Sequence, residues 1–495
     1  MNVAIVEPAV RPPGAEVPLC VDLDGTLVRT DTLAESVILL AAGMPWRLLW
    51  LPFWLLRGRA YLKEQLARLV VPDPATLPYH GPLLEMLRAS HQAGRRVILA
   101  TAAHERIAQS VASHLQCFSG VVATTATVNL KGATKATALV TQYGAKQFDY
   151  VGDSAADLPV WRQCREIHLA EGKASLERTL GAEGLSVARV WGPARKGTLR
   201  QLPRIMRLHQ WLKNLLIFAP LVASLSIFDP VRVGRAVLAC VLFGLCASSI
   251  YIVNDLLDLA ADRQHRRKRA RPFASGDSSI LTGAVLAPGF ALSALVCSAV
   301  VMPKPFTVAL LVYLAMTLAY SFYVKRVVIA DAVMLAALYT IRIIAGALAI
   351  EVVLSFWLLA FSMFLFLSLA LMKRFTEVRE SVGAGHIWIA GRSYIGEDLR
   401  LLGGLGTSAG YCAVLVLALY INSPEVVRHY KSPAVLWLLC PLLLYWLGRF
   451  WLQTERGNMH DDPVVFAAKD RVTHIVGVFG AMVLGVAATM SLAIQ

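Results

Sequence analysis

From Trp211 to the end of the chain, apolar runs of roughly 20 residues follow one another with little interruption, and few folds accommodate that pattern. Coiled as a helix, such a run matches the hydrocarbon thickness of a bilayer and satisfies its own backbone in lipid. Nine candidate spans fall near residues 209–227, 233–253, 280–301, 306–323, 327–349, 355–372, 399–420, 434–452 and 473–494. Composition agrees, since 56% of the 495 residues are apolar and only 16% are charged, where a soluble domain carries about 25%. The loops 254–278, 324–326, 373–398 and 453–472, and the segment 195–213, are rich in Lys and Arg. The loops 228–232, 302–305, 350–354 and 421–433 carry far fewer. By the positive-inside rule the basic loops face the cytoplasm. A multi-pass protein of the inner (cytoplasmic) membrane is expected, with an all-α polytopic bundle of about nine helices over 206–495.

The first 205 residues have a different texture. Leu19–Asp22, Arg96–Thr101 and Phe148–Asp153 are short apolar runs that end on polar residues, as buried parallel strands do when their carboxyl ends carry a site. An α/β Rossmann-like domain over 15–180 is expected, with a linker at 181–205. Residues 36–57 are apolar enough to enter a bilayer, but Pro45, Arg47 and Pro52 interrupt them. A crossing there would separate the flanking motifs, so a helical cap over about 33–85 is expected instead, with residues 36–57 lying on or dipping into the bilayer surface. The eight cysteines form no CxxC or paired spacing, which argues against a zinc site or a disulfide framework. The net charge of +15 sits in short loops and makes no continuous stripe, so no nucleic-acid partner is expected. Its remaining uses are lipid headgroups and an anionic substrate. A homo-oligomer is compatible with this layout.

Asp22-Leu-Asp24-Gly-Thr, Thr101, a lysine opening a helix, and Gly152-Asp153-Ser-Ala-Ala-Asp157 occur in that order. Each alone could be a surface turn. Together they resemble the haloacid dehalogenase-like superfamily. The resemblance implies that Asp22 attacks phosphorus and that Asp24 protonates the leaving oxygen. Thr101 and the lysine would neutralise phosphate oxygens. Asp22, Asp24, Asp153 and Asp157 would serve a Mg²⁺ site. Lys131 and Lys135 are both candidates for the lysine, and Lys135 is favoured because it begins the helical run KATALVTQYG.

The second span ends in Asn254-Asp255-Leu-Leu-Asp258-Leu-Ala-Ala-Asp262. Carboxylates three and four residues apart share one helix face. Acids at a membrane lip need a reason, and a Mg²⁺ ion bridging them to a diphosphate supplies one. A solvated loop with incidental acids is the plain alternative. The pattern resembles the UbiA-type intramembrane prenyltransferase superfamily. Arg207 to Pro220 (RLHQWLKNLLIFAP), Asp262 to Gly276, Tyr320 to Asp331, Arg342, Lys373-Arg374 and Asp461 to Arg471 narrow the likeness to its decaprenyl-phosphate phosphoribosyltransferase branch. That branch moves 5-phosphoribose from phosphoribosyl diphosphate onto a polyprenyl phosphate. The resemblance implies Mg²⁺ on Asn254, Asp255, Asp258 and Asp262. It implies substrate contacts from Lys213, Asn214, Arg263, Lys268, Arg271, Tyr320, Lys325, Asp331, Arg342 and Lys373. Arg266 departs from the branch, where Pro usually follows the His, and Asp331 stands without a DxxxD partner. The fused phosphatase would act on a phosphomonoester, the 5-phosphate of the product being the natural one. The alternatives are transfer of a prenyl group from its diphosphate to an aromatic or glycerol acceptor, and, more distantly, a non-catalytic carrier with a regulatory phosphatase-like domain.

Overall fold

In the first unit, alternate residues of the strands fill opposite faces of one sheet. Leu19, Val21, Val97, Leu99 and Val151 pack with Leu83, Leu87, Ile107 and Val111 on one side. Cys20, Ile98, Ala100 and Tyr150 pack with Leu139, Val160, Trp161 and Leu180 on the other. Strands buried on both faces read as unbroken apolar runs, which is how they appear in the sequence. The structure, a computed structural model, describes residues 17–193, 197–383, 393–459 and 462–490. Two compact units share the chain. The first gathers the residues up to Met206 with Tyr251–Ala287, and the second takes Arg207–Ile250 with Pro288 onward.

The six strands are β1 (Leu19–Val21), β2 (Val97–His104), β3 (Gly120–Thr124), β4 (Asp149–Gly152), β5 (Ile167–Leu169) and β6 (Val187–Val190). They lie in the order β3-β2-β1-β4-β5-β6, and every pairing is parallel. Val21 is in register with Leu99 and Val151, so the loops after β1 and β4 leave the sheet side by side. β2 runs to His104, three residues beyond the expected end at Thr101, with an irregularity in its pairing after Ala100. β6 and the helix Ala174–Ala182 fall at or inside the segment expected as a linker. Four residues with three of them exposed leave too little alternation to announce that edge strand.

Between β1 and β2 lies the cap. It consists of α1 (Thr32–Gly43), a 3-10 turn (Pro45–Trp50), α2 (Leu51–Leu56) and α3 (Arg59–Leu69), and α4 (Gly81–Gln92) follows. Pro45 and Pro52 each open a new element because a proline ring suits a first helical turn and blocks an interior one. The apolar stretch 36–57 is therefore three short pieces rather than a span.

At the far end of the sheet from the β1 and β4 loops, Asp149 is fully buried. Arg165 donates to its carboxylate at 2.9 and 2.7 Å, Arg95 donates to it as well, and the Glu166 amide adds a bond of 3.1 Å. Burial alone would raise this carboxyl, but the two arginines hold it below the ordinary range.

In the second unit and the helices that leave it, eight helices among the described residues are long and apolar enough to cross a membrane. They run from Pro230–Leu257 to Arg471–Thr489. The ninth expected span, 209–227, takes another form. Leu208–Phe218 is a 3-10 helix, flanked by left-handed backbone at Arg207 and Leu225 and followed by the short helix Ala219–Ala223. Eleven residues in that form rise only about 22 Å. The Trp211 indole donates to the Ser248 hydroxyl at 3.0 Å and lies where a side chain at Gly244 would stand. The Ile217 carbonyl likewise occupies the space beside Gly346.

Asp149→Ala is expected to cost the first unit about 3 kcal/mol, the low end for breaking a buried ion pair, because Arg165 is two-fifths exposed. Amide exchange in β1 and β4 should accelerate accordingly. The contribution should persist above pH ~4 and fade only below it, since the carboxyl is depressed in the folded state. Unchanged exchange at pH 7 would contradict the role given to Asp149.

Candidate active sites

Asp22 follows β1 and Asp153 follows β4, and adjacent parallel strands bring them together. Asp22, Asp153 and Asp157 each offer a carboxylate oxygen within 4.8 Å of the others. Lys135, from the helix Ala133–Tyr143, places its ammonium 3.0 Å from Asp22 and 3.4 Å from Asp157. It also donates to the Tyr150 hydroxyl at 2.8 Å, which in turn donates to Asp157 at 2.9 Å. Lys173 donates to the Asp153 carboxylate at 3.0 Å and to its carbonyl at 2.8 Å. Three acids converging on one spot against two ammonium groups form a donor set suited to a hard divalent cation.

The backbone is cut to fit these acids. Gly25 has φ +77°, and a Cβ there would stand 2.6 Å from an Asp153 oxygen. A Cβ on Gly152 would come within 2.7 Å of an Asp157 oxygen. Asp24 accepts from the Thr32 amide at 2.8 Å, which ties the turn after β1 to the first turn of the cap. Burial pushes Asp22 up to about 7, with Lys135 opposing the shift and Asp157 adding to it. Burial also pushes Asp24 up to about 7, and the nearby Asp31 charge reinforces it.

A cavity of about 430 Å³ opens over Asp22 and Asp24. Lys131 and Lys135 both line it, but Lys131 is exposed while Lys135 is buried against the acids. Thr101 does not reach its wall. It is buried inside β2 with its hydroxyl accepting from the Ala103 amide, and Ala102, Ala103 and His104 form the wall beyond it. Sequence reasoning missed the contribution of α3. Arg59 and Lys63 line the cavity, and Lys63 donates to the Ala102 carbonyl at 2.6 Å and to Asn129 at 2.8 Å. The next residue, Glu64, meets His104 at 2.6 Å and Arg68 at 2.5 Å. A lone amphipathic helix inside an insertion gave no sign of facing a site.

The acidic run 254–262 belongs to the same unit. Helical bonds continue through it, from the Asp258 amide to the Asn254 carbonyl and from the Asp262 amide to the Asp258 carbonyl. Arg271 bridges Asp255 at 3.1 Å and Asp262 at 2.5 Å, while Asn254 and Asp258 are half-buried beside them. Two carboxylates close enough to share one guanidinium fit a shared cation. Arg263, expected on substrate, instead grips Glu35 of α1 at 2.6 and 3.2 Å and the Ala274 carbonyl at 3.1 Å. Lys268 is exposed on a 3-10 turn.

In the second unit, Lys213 and Lys373 converge on Asp462 at 2.8 and 2.9 Å. Burial would raise that carboxyl, but Lys373 and Lys213 hold it well below the ordinary range. Arg342 is buried, and its partners are neutral: Asn214 at 3.1 Å, the Tyr313 hydroxyl at 3.2 Å and the Leu338 carbonyl. Its guanidinium lies over the rings of Phe243, Tyr313 and Tyr339 at 5.0 to 5.7 Å, and Lys213 lies 5.6 Å from the Tyr339 ring. Asp331 is fully buried, 3.1 Å from Arg374 and 2.6 Å from the Tyr394 hydroxyl. Tyr320 meets Arg374 at 3.5 Å, and Lys325 is half-buried in the turn Val324–Arg326. Asp462, Tyr313 and Tyr394 were not singled out in the sequence as site residues. Asp462 stood inside a motif carrying the resemblance, whereas the two tyrosines gave no signal.

A carboxyl raised to about 7 keeps its proton below that pH and loses it above. With Asp24 as the expected proton donor and Asp22, also raised to about 7, as the expected nucleophile, kcat/KM for a phosphomonoester should peak near neutrality, Asp22 setting the acid limb and Asp24 the alkaline one. Asp31→Asn removes a like charge, so the alkaline limb should move to lower pH. A limb that stays in place or moves upward would contradict this electrostatic account.

Residues 215–469 match the UbiA prenyltransferase family, and residues 19–162 match the haloacid dehalogenase-like hydrolases. An uncharacterized protein of Sinorhizobium fredii is 36% identical over 464 residues, covering 93% of this chain and 89% of its own. Nodulation protein NoeC of Azorhizobium caulinodans is 35% identical over 264 residues, 53% of this chain and 85% of its own. Decaprenyl-phosphate phosphoribosyltransferase of Mycobacterium tuberculosis is 30% identical over 292 residues, 57% of this chain and 93% of its own. The chain therefore belongs to the UbiA prenyltransferase family and carries a haloacid dehalogenase-like hydrolase domain in its N-terminal part.

Proposed function

We propose that this protein transfers 5-phosphoribose from phosphoribosyl diphosphate to a polyprenyl phosphate at the cytoplasmic face of the membrane, and then removes the 5-phosphate with its hydrolase domain. The observation that carries the transferase half is Arg342. A cation in a membrane-spanning helix is retained for a purpose, and the partners of this one are neutral oxygens and ring faces. A polyphosphorylated substrate supplies the missing anion. The likeness to the mycobacterial phosphoribosyltransferase supports the same choice.

In this scheme a phosphate oxygen of the lipid bonds to the anomeric carbon as the bond to diphosphate breaks. Lys213, Arg342 and Lys373 neutralise phosphate oxygens, Asn214 orients Arg342, and Asp331 keeps Arg374 in place. Arg271 releases Asp255 and Asp262 when the substrate complex forms. Asn254, Asp255, Asp258 and Asp262 would hold Mg²⁺, which supplies charge neutralisation to the departing diphosphate.

In the hydrolase half, an Asp22 oxygen attacks phosphorus and the bond to the ester oxygen breaks. Asp24 gives that oxygen its proton and next takes one from the water that cleaves the aspartyl phosphate. Lys135 balances the charge on Asp22 and on the phosphoryl oxygens. Asp22, Asp153 and Asp157 would hold Mg²⁺ here, with the same neutralising effect.

The test is lipid mass spectrometry on the purified full chain with decaprenyl phosphate, phosphoribosyl diphosphate and Mg²⁺. The wild type should yield a lipid heavier by ribose alone, and Asp22→Asn should accumulate the phosphoribosyl lipid. Full-rate formation of the dephosphorylated lipid by Asp22→Asn would end the coupling. Turnover of a polyprenyl diphosphate with an aromatic acid, and no ribose adduct, would move the protein to prenyl transfer.

Asp462→Ala leaves Lys213 and Lys373 without their shared carboxylate, a loss of about 3–5 kcal/mol at a buried pair. Transfer should fall more than about tenfold, while hydrolysis of a water-soluble phosphomonoester by the first unit stays near wild type. Equal losses in both activities would refute a local role for Asp462.

A further inference from the structure

Between Ser36 and Lys63 the chain carries four cations, Arg47, Arg57, Arg59 and Lys63, and no acid. Within this stretch the 3-10 turn Pro45–Trp50 and α2 bury none of their side chains. Trp46 is 63% exposed, Leu49 74%, Trp50 56%, Phe53 60% and Leu56 86%. The Trp50 and Phe53 rings lie 5.8 Å apart, so the apolar groups form one edge rather than scattered residues. A water-soluble surface seldom carries so much contiguous apolar area. Tryptophan, phenylalanine and leucine flanked by arginine are the composition of a surface that lies in a headgroup layer.

This edge is also continuous with the hydrolase cavity. Leu55 stands on the edge, half exposed, and lines the cavity as well. One turn further along the cap, Arg59, Leu62 and Lys63 continue the cavity wall toward Asp22. Lys63 spends its bonds on a carbonyl and an amide oxygen, both neutral, and Arg59 is exposed. The wall therefore runs from an apolar entrance, past two cations, to the expected nucleophile.

We propose that the edge formed by residues 46–56 inserts into the headgroup layer of an anionic bilayer, and that the hydrolase draws from that layer a phosphomonoester carried on a lipid. The lipid's apolar portion passes along Leu55 and Leu62. A charged linkage between lipid and phosphoester, such as a phosphodiester, meets Arg59 and Lys63. The proposal rests on the hydrolase reading given above and specifies the source of its substrate. An anionic bilayer is favoured over a second copy of the chain by the cations that border the edge, which attract lipid phosphate and would repel their own copy.

The test uses the full chain in nanodiscs of phosphatidylglycerol doped with a photoactivatable phospholipid, followed by peptide mapping. It compares the wild type with the triple variant Trp46→Ser, Trp50→Ser, Phe53→Ser. The wild type should form lipid adducts on the peptide spanning 45–57, and the variant should lose them. For the variant, kcat/KM on a lipid-borne phosphomonoester should drop about tenfold or more, while that on a water-soluble sugar phosphate should stay within about twofold. The second substrate also reports that the variant is folded. Absence of adducts in the wild type, adducts to a second protein chain in their place, or equal losses on both substrates would overturn the proposal. Wild type that hydrolyses neither substrate would defeat the hydrolase reading and the delivery step together, and the adduct map alone would then decide insertion.

Discussion

The ion pair between Lys135 and Asp22, 3.0 Å long and almost wholly removed from water, sets the conditions for the chemistry around it. Each charge in such a place costs several kcal/mol to desolvate, and only close partners recover that cost. Here the recovery is incomplete. Asp22, Asp153 and Asp157 converge while Lys135 and Lys173 answer them, and Asp22 is pushed up to about 7 as a result. Asp149, in the same sheet, has two arginines for one carboxylate and is pushed the other way. One end of β4 is thus electrostatically saturated and holds the sheet together. The other end is short of positive charge and suited to a cation and a reacting phosphate.

The membrane unit shows the same contrast. Asp331 and Arg374 are both fully buried and pair with each other, with Tyr394 on Asp331 and Glu377 on Arg374. Asp462 is outnumbered by Lys213 and Lys373, and among the described residues Arg342 meets dipoles and ring faces.

Much of this was legible in the chain because it rests on short-range rules. DLDGT and GDSAAD sit at strand tips, and a strand tip is readable from an apolar run that stops at a polar residue. Helical spacing alone predicts that acids 255, 258 and 262 share a face, and the structure brings 255 and 262 together on Arg271. What escaped the sequence depends on contacts between distant residues. The wall contributed by Arg59 and Lys63 exists because α3 packs against β2, where Lys63 bonds to the Ala102 carbonyl. The region 209–227 looked like a span by composition, yet left-handed backbone at Arg207 and Leu225 bounds it and Trp211 anchors it to Ser248. Arg263 was placed on substrate by resemblance, while Glu35, more than two hundred residues earlier, takes it up.

That last contact changes where one protein ends and the other begins. By family, the hydrolase match ends at residue 162 and the prenyltransferase match begins at residue 215. By packing, residues 251–287 side with the hydrolase, through Arg263 on Glu35, Asp277 near Arg29, and Gly276 fitted against the Arg29 backbone. A chain truncated after Met206 would keep Glu35 and lose its counter-charge, so the hydrolase is not a detachable module. The segment that completes it also carries the aspartates of the transferase motif. Substitutions in those thirty-seven residues therefore fall at once on the packing of the first unit and on the acidic motif inside the prenyltransferase match.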